Sequence, residues 1–292
     1  MTTTTATTAR TGSALGQLTA IELRRYAKHP LFLIGVLLTV ATSVGRPDAE
    51  TSGFFNAIVP AAGLGVLGLV AMAAQTRKAT RLNRAAGVTP VPERVQTAAL
   101  ALTALLPFTV GLLWVAWAMW AQHRWPVPDN GFPFAPAGDG WTFAALLGEG
   151  GLSALGGPLL GIVAGRYLPQ RGTAPIVAVL LVAVSIVFQG IFEPLRTIRV
   201  VMPFTYWGGP IGVEGDDMRM LLLSGSPGWW AAYLCCLCGL AVVAALWHDP
   251  GARTPALRLA GGALVVAAVV TCLLAMFTGI GHTLVNPLPS GA

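Results

Sequence analysis

Residues 54–96 read FFNAIVPAAGLGVLGLVAMAAQTRKATRLNRAAGVTPVPERVQ, an apolar run that passes directly into a basic one. The first part, 54–74, has the length and composition of a helix crossing a bilayer core of about 30 Å. In the second part, 75–96, Arg77, Lys78, Arg81, Arg84 and Arg94 stand against a single anion, Glu93. A cationic block abutting an apolar span marks the end that stays on the inner side of a membrane. The helix is expected to continue past the headgroups through the first of these cations. Gly87 tolerates positive φ, and Pro90 and Pro92 stop a helix and restrict the residues before them. A short protruding helix over about 76–90, closed by a rigid turn, is the expected product. Two roles fit it: a loop held by headgroup phosphates, or a docking element for a soluble partner.

The rest of the chain has the same solvent. Of 292 residues, 54% are hydrophobic and 10% are charged, with a mean hydropathy of +0.68. Water-soluble domains carry about a quarter charged residues. The net charge of +6 belongs to membrane topology and not to nucleic acid, since no basic stretch alternates with stacking aromatics. Cys235, Cys236, Cys238 and Cys272 fall in apolar runs and lack the spacing of a zinc site, so they are expected to pack and to bind no metal. Residues 1–13, rich in threonine, are expected to be a disordered polar tail, with no cleavable signal peptide.

Seven apolar runs are candidate spans: 31–45, 54–74, 97–121, 142–165, 174–192, 229–247 and 259–280. The expected fold is all-α, a polytopic membrane helix bundle of six to seven transmembrane helices over 31–282. An interfacial helix over 14–30 precedes it, and a short outer tail, 283–292, follows it. With the N-terminus inside, thirteen of the 18 Lys and Arg face the cytoplasm and five (Arg46, Arg124, Arg196, Arg199 and Arg219) face outward. Trp114, Trp117, Trp120 and Trp125, crowding one end of the third span, and Trp141, Trp229 and Trp230, at the mouths of the fourth and sixth, suggest an interfacial belt.

In 14–38, ALGQLTAIELRRYAKHPLFLIGVLL, helical projection puts Leu15, Leu23 and Tyr26 on one side and Gln17, Arg24 and Lys28 on the other. Glu22 blurs the apolar edge. Pro30 marks a bend into the first span. A plain basic segment that fixes topology is the alternative.

IELRRYAKHPLF (21–32) leading into a short span, a basic helix after span two, and the turn GVTPVPERVQTAAL (87–100) together resemble the membrane permeases of ABC exporters. Thr89-Pro90 and Glu93-Arg94 carry the likeness in the turn. Gln75 stands where that family commonly has glutamate, and the run at 259–280 exceeds its usual six spans. The resemblance implies that 14–30 is the connecting helix and that about 76–90 is the coupling helix, gripped by an ATP-hydrolysing subunit. The coupling residues would be Arg77, Lys78, Arg81, Arg84, Gly87, Pro90 and Arg94. It also implies a second permease copy or paralogue, a plasma-membrane location, and ATP and Mg on the partner subunit, with no cofactor and no catalysis in this chain. No G-x-x-x-x-G-K-[ST] loop occurs in the sequence. The family commonly has short re-entrant helices in an outer loop corresponding to 193–228.

Gly157, Gly161 and Gly165 recur every four residues, as do Ala57, Ala61 and Gly65, and both sets invite close helix packing. Glu149 lies about two turns inside span four. It is either paired, with Arg196 or Arg199 as candidates, or part of a substrate path or gate that Gln189 and Glu193 extend. The competing class is an intramembrane enzyme. HTLVN (282–286) matches half of a CAAX-protease signature, but no Glu-Glu dipeptide accompanies it, and His29, His123 and His248 fall at span ends. A non-transport scaffold or regulatory protein is a third reading.

Overall fold

A backbone surrounded by lipid must pair its own N–H and C=O groups, and the apolar runs accordingly fold as helices. The computed structural model describes residues 3–43, 58–85, 91–125, 138–170, 172–186, 212–214, 219–222, 226–278 and 284–286. Five of its helices are long and apolar enough to cross a membrane. Within the described residues these are α3, running from Ile58 to Ala85; α4, Glu93–Arg124; α5, Asp139–Tyr167; α7, Pro227–Trp247; and α8, Pro255–Phe277. The chain is a multi-pass membrane protein. Helix α6, Thr173–Ile186, is shorter, and residues 187–192 of that predicted span lie outside the described residues.

The N-terminal pair is bent as Pro30 predicts. Helix α1, Thr3–Ala27, and α2, Pro30–Ser43, meet at 63°. The corner closes with a tightened turn, His29 N–H to Tyr26 O at 2.9 Å, and the His29 ring accepts Leu31 N–H at 3.3 Å. The Tyr26 and Phe32 rings pack across it with centroids 5.0 Å apart. Residues 3–13, expected as a disordered tail, instead form the opening turns of α1. Once the docked turns after Ala14 supply a nucleus, each added residue propagates the helix at little cost.

Helices α3 and α5 form the spine of the bundle. Gly157 faces the Gly65 backbone, Gly161 faces Leu69 O, and Gly165 lies on Thr76, so a Cβ at any of the three would overlap α3. The predicted four-residue face therefore serves a helix of the same chain. Helix α2 crosses α3 at Gly35 and Gly63, again backbone against backbone.

Both spine helices contain a π-helical segment, Ala61–Val66 and Leu147–Leu152. Each is closed by an i→i−5 bond, Leu67 N–H to Ala62 O and Ser153 N–H to Gly148 O. Helix α4 loosens at Ala104, where Pro107 supplies no N–H to the Thr103 carbonyl.

Trp230 and Trp114 depart from the interfacial belt. Trp230 is fully buried against Gly148, and Trp114 packs on Gly150. Glycine at 148 and 150 leaves wells into which indole rings sink, and burying that area outweighs an interfacial position. Trp120 and Trp229 stay exposed.

Helices α7 and α8 form a hairpin through the turn Pro250–Ala252. Asp249 caps that turn through Gly251 N–H, and Thr254 caps α8 through Leu257 N–H at 3.2 Å. Apart from the contact with α7, α8 is largely bare: Leu259 is 77% and Val266 64% exposed. Apolar side chains this open are at home only in hydrocarbon.

Three short strands complete the described residues: β1, Gly212–Glu214; β2, Arg219–Leu222; and β3, Leu284–Asn286. They pair antiparallel in that order, with Gly212 opposite Leu221 and Leu221 opposite Val285. Where re-entrant helices were expected within 193–228, the described parts ahead of α7 are thus strands; the remainder lies outside the described residues. The sequence favours this locally, since Gly215-Asp216-Asp217 separates two apolar runs.

Candidate functional site

The basic block continues the spine. Helix α3 runs through Arg77, Lys78 and Arg81 to Ala85 without a break after its π segment. Thr76 and Thr80 hydroxyls return to the Met72 and Thr76 carbonyls at 2.8 and 3.0 Å, which keeps these turns intact. Lys78 and Arg81 are exposed. Arg84 lies in the last turn, and Gly87 and Pro90 lie outside the described residues.

The same turns are braced by three neighbours. Gln75 donates to Glu22 Oε2 at 2.5 Å and to Glu22 O at 2.9 Å, fastening α1. Glu22 is buried, and its other oxygen takes Arg25 at 2.9 Å. The residue that blurred the apolar edge of α1 is therefore the one that docks it. Arg77 Nη1 donates to Gln170 O at 3.2 Å beyond α5. Thr80 accepts Arg166 Nη1 at 3.1 Å.

Arg166, at the end of α5, is the hub, 5% exposed. Its Nη1 lies 3.3 Å from Glu93 Oε1, and its Nη2 donates to Thr97 Oγ1 at 3.0 Å and Gln96 Oε1 at 3.4 Å. The same Glu93 oxygen meets His248 Nδ1 at 2.6 Å. One residue on, Arg94 N–H donates to Asp249 Oδ2 at 3.0 Å and Arg94 Nη1 to Gly251 O at 3.4 Å. Tyr167 adds a bond from its hydroxyl to Ala244 O at 2.9 Å and an edge contact to the His248 ring. A planar guanidinium with a forked set of donors is the one side chain able to join α3, α4 and α5 at once. Through Glu93 and His248 the network reaches α7.

The two ends of the basic block therefore differ. Lys78 and Arg81 point outward, whereas Glu93 and Arg94 are tied to the ends of α5 and α7. Arg166 was legible only as one more inner-side cation. The observable signal was a single arginine closing a glycine-rich span.

Toward the opposite end of α5, Glu149 is 1% exposed within the π segment, between Gly148 and Gly150. The Ser153 hydroxyl donates to Gly148 O at 2.9 Å on the next turn. π segments of this kind gather at functional positions because the extra residue re-aims a side chain. Gln189, Glu193, Arg196 and Arg199 lie outside the described residues, as does His282. Asn286 sits in β3 opposite Met220. Among the described residues, no group of three or more His, Cys, Asp or Glu is placed to hold a metal ion.

Comparison of the chain with protein-family models, with curated proteins and with solved structures finds no match.

Proposed function

We propose that the chain is the transmembrane permease subunit of an ATP-driven exporter of the ABC type, working with a separate ATP-binding subunit that carries ATP and Mg and with a second permease copy or paralogue. The observation that carries this reading is the tip of α3. A helix continuous with the spine presents Lys78 and Arg81 to solvent while Gln75, Arg77 and Thr80 tie the same turns to α1, α5 and the segment beyond α5. A push on such a tip moves packed helices as a rigid body, which is the form of motion that alternates access. A loop merely resting on phosphates has no need of that bracing. Lys and Arg bias supports a cytoplasmic N-terminus, with α1 at the inner face of the plasma membrane and α2 to α8 as seven spans.

Lys78→Glu with Arg81→Glu tests the reading. Both side chains are exposed, so membrane insertion and folded yield should match those of the unaltered chain. Co-purification of the ATP-binding subunit from detergent extracts should fall by tenfold or more, as opposed charges are lost at one docking patch. Undiminished co-purification would overturn the assignment.

Glu149 is the candidate residue of the substrate path. Glu149→Gln preserves shape and removes charge, and is expected to lower ATPase turnover of the assembled complex while the folded yield stays unchanged. Equal losses in both measurements would make Glu149 a structural partner instead.

A further inference from the structure

Of the regions that the permease reading leaves unused, the start of α8 combines charge, an aromatic platform and an apolar channel. Arg253 and Arg258 both lie over the Trp247 ring, with guanidinium carbons 6.0 and 5.6 Å from its centroid. Arg253 Nε donates to Trp247 O at 3.0 Å, which fixes that side chain and leaves its two terminal nitrogens for another acceptor. Both arginines are exposed, and among the described residues neither forms an ion pair with a carboxylate. A groove starts at Arg258 and runs along α8 past Leu259, Gly262, Ala263 and Val266 to Val270. Gly262 forms its floor, with nothing near the position of a Cβ, and Leu259 and Val266, seven residues apart on one stripe of the helix, form the ridge on one side of it.

We infer that this groove binds an anionic phospholipid, its phosphate between Arg253 and Arg258 and one acyl chain along α8. The charge fits, since two unspent guanidiniums beside an interfacial tryptophan attract a phosphate and fork onto its oxygens. The length fits as well. Twelve residues of helix from Arg258 to Val270 rise about 18 Å, close to the roughly 15 Å depth of one leaflet. A soluble anion would gain nothing from the groove, and a zwitterionic lipid, whose ammonium offsets its phosphate, would gain less from the arginines.

The occupant follows from the α7–α8 turn and the surface of α8, without the exporter reading, so neither can fail through the other. The test uses purified full-length chain in detergent, titrated with phosphatidylglycerol or phosphatidylcholine and read by native mass spectrometry and thermal shift. Phosphatidylglycerol should bind the unaltered chain at least tenfold more tightly. Arg253→Gln and Arg258→Gln should each reduce that preference about fivefold, and Arg253→Lys with Arg258→Lys should retain most of it. Gly262→Leu, which fills the floor, should weaken both lipids while the preference survives. Equal binding of the two lipids, a preference that persists in Arg253→Gln/Arg258→Gln, or complete competition by inorganic phosphate would each overturn the site. Since both arginines are exposed, loss of folding in the Gln variants would itself contradict the proposed arrangement.

Discussion

Gly157→Ala is expected to destabilise the bundle strongly by forcing α3 and α5 apart. The added carbon would fall on the Gly65 carbonyl and its neighbouring backbone atoms. Backbone cannot rotate out of the way as a side chain can, so α3 and α5 must separate along the seam. Overpacking costs about 1–3 kcal/mol even where side chains yield, and here the upper end or beyond applies. Gly262→Ala is the control, since a Cβ there meets nothing within 4 Å. Both substitutions gain up to about 1 kcal/mol of helix propensity, so the difference between them isolates the clash. Thermal unfolding of detergent-purified protein should show Gly157→Ala losing well over 5 °C relative to Gly262→Ala, with reduced monodisperse yield. Equal melting of the two would mean that the helices are not in contact at this point.

Arg166→Ala is the second large effect. Its removal takes a donor from the buried Thr97 and Gln96 side chains and frees Thr80 and Glu93 from the end of α5. Breaking a buried pair by deleting one partner costs about 3–5 kcal/mol. The Glu93 side chain is about one-third exposed and keeps His248, so the lower end of that range applies here. Arg166→Lys should recover only part of the loss, since one ammonium cannot reach Thr80, Glu93 and Thr97 together. A double-mutant cycle with Glu93→Gln, read by denaturation, separates the ion pair from the hydroxyl contacts. Coupling near zero would show that Thr80 and Thr97, and not Glu93, hold the guanidinium.

The sequence carried the five long apolar helices and their order because lipid imposes one rule on every residue of a helix, and run length alone expresses it. Pro30 foretold the bend, and the spacing of Gly157, Gly161 and Gly165 foretold a seam. What stayed hidden depends on pairs. Arg166 contacts residues 69, 70 and 86 positions away, and no local pattern joins them. Glu22 looked like a flaw in an amphipathic helix until Gln75 supplied its partner. Trp230 looked interfacial because tryptophan prefers such places, and only the well above Gly148 explains its burial. The π segments are a slip of one hydrogen bond, which composition does not record. Of the basic block, outward-pointing Arg81 and tied Arg94 have the same residue type, so partner distances alone distinguish them.

The seam between α3 and α5 has a mechanical consequence. Where two main chains touch with no side chains between them, there is no soft layer to absorb displacement. A nudge of an ångström delivered near Lys78 would reach the far half of α5, where Glu149 sits, almost undiminished. Softening that joint would disconnect the two ends even if every charged group stayed in place.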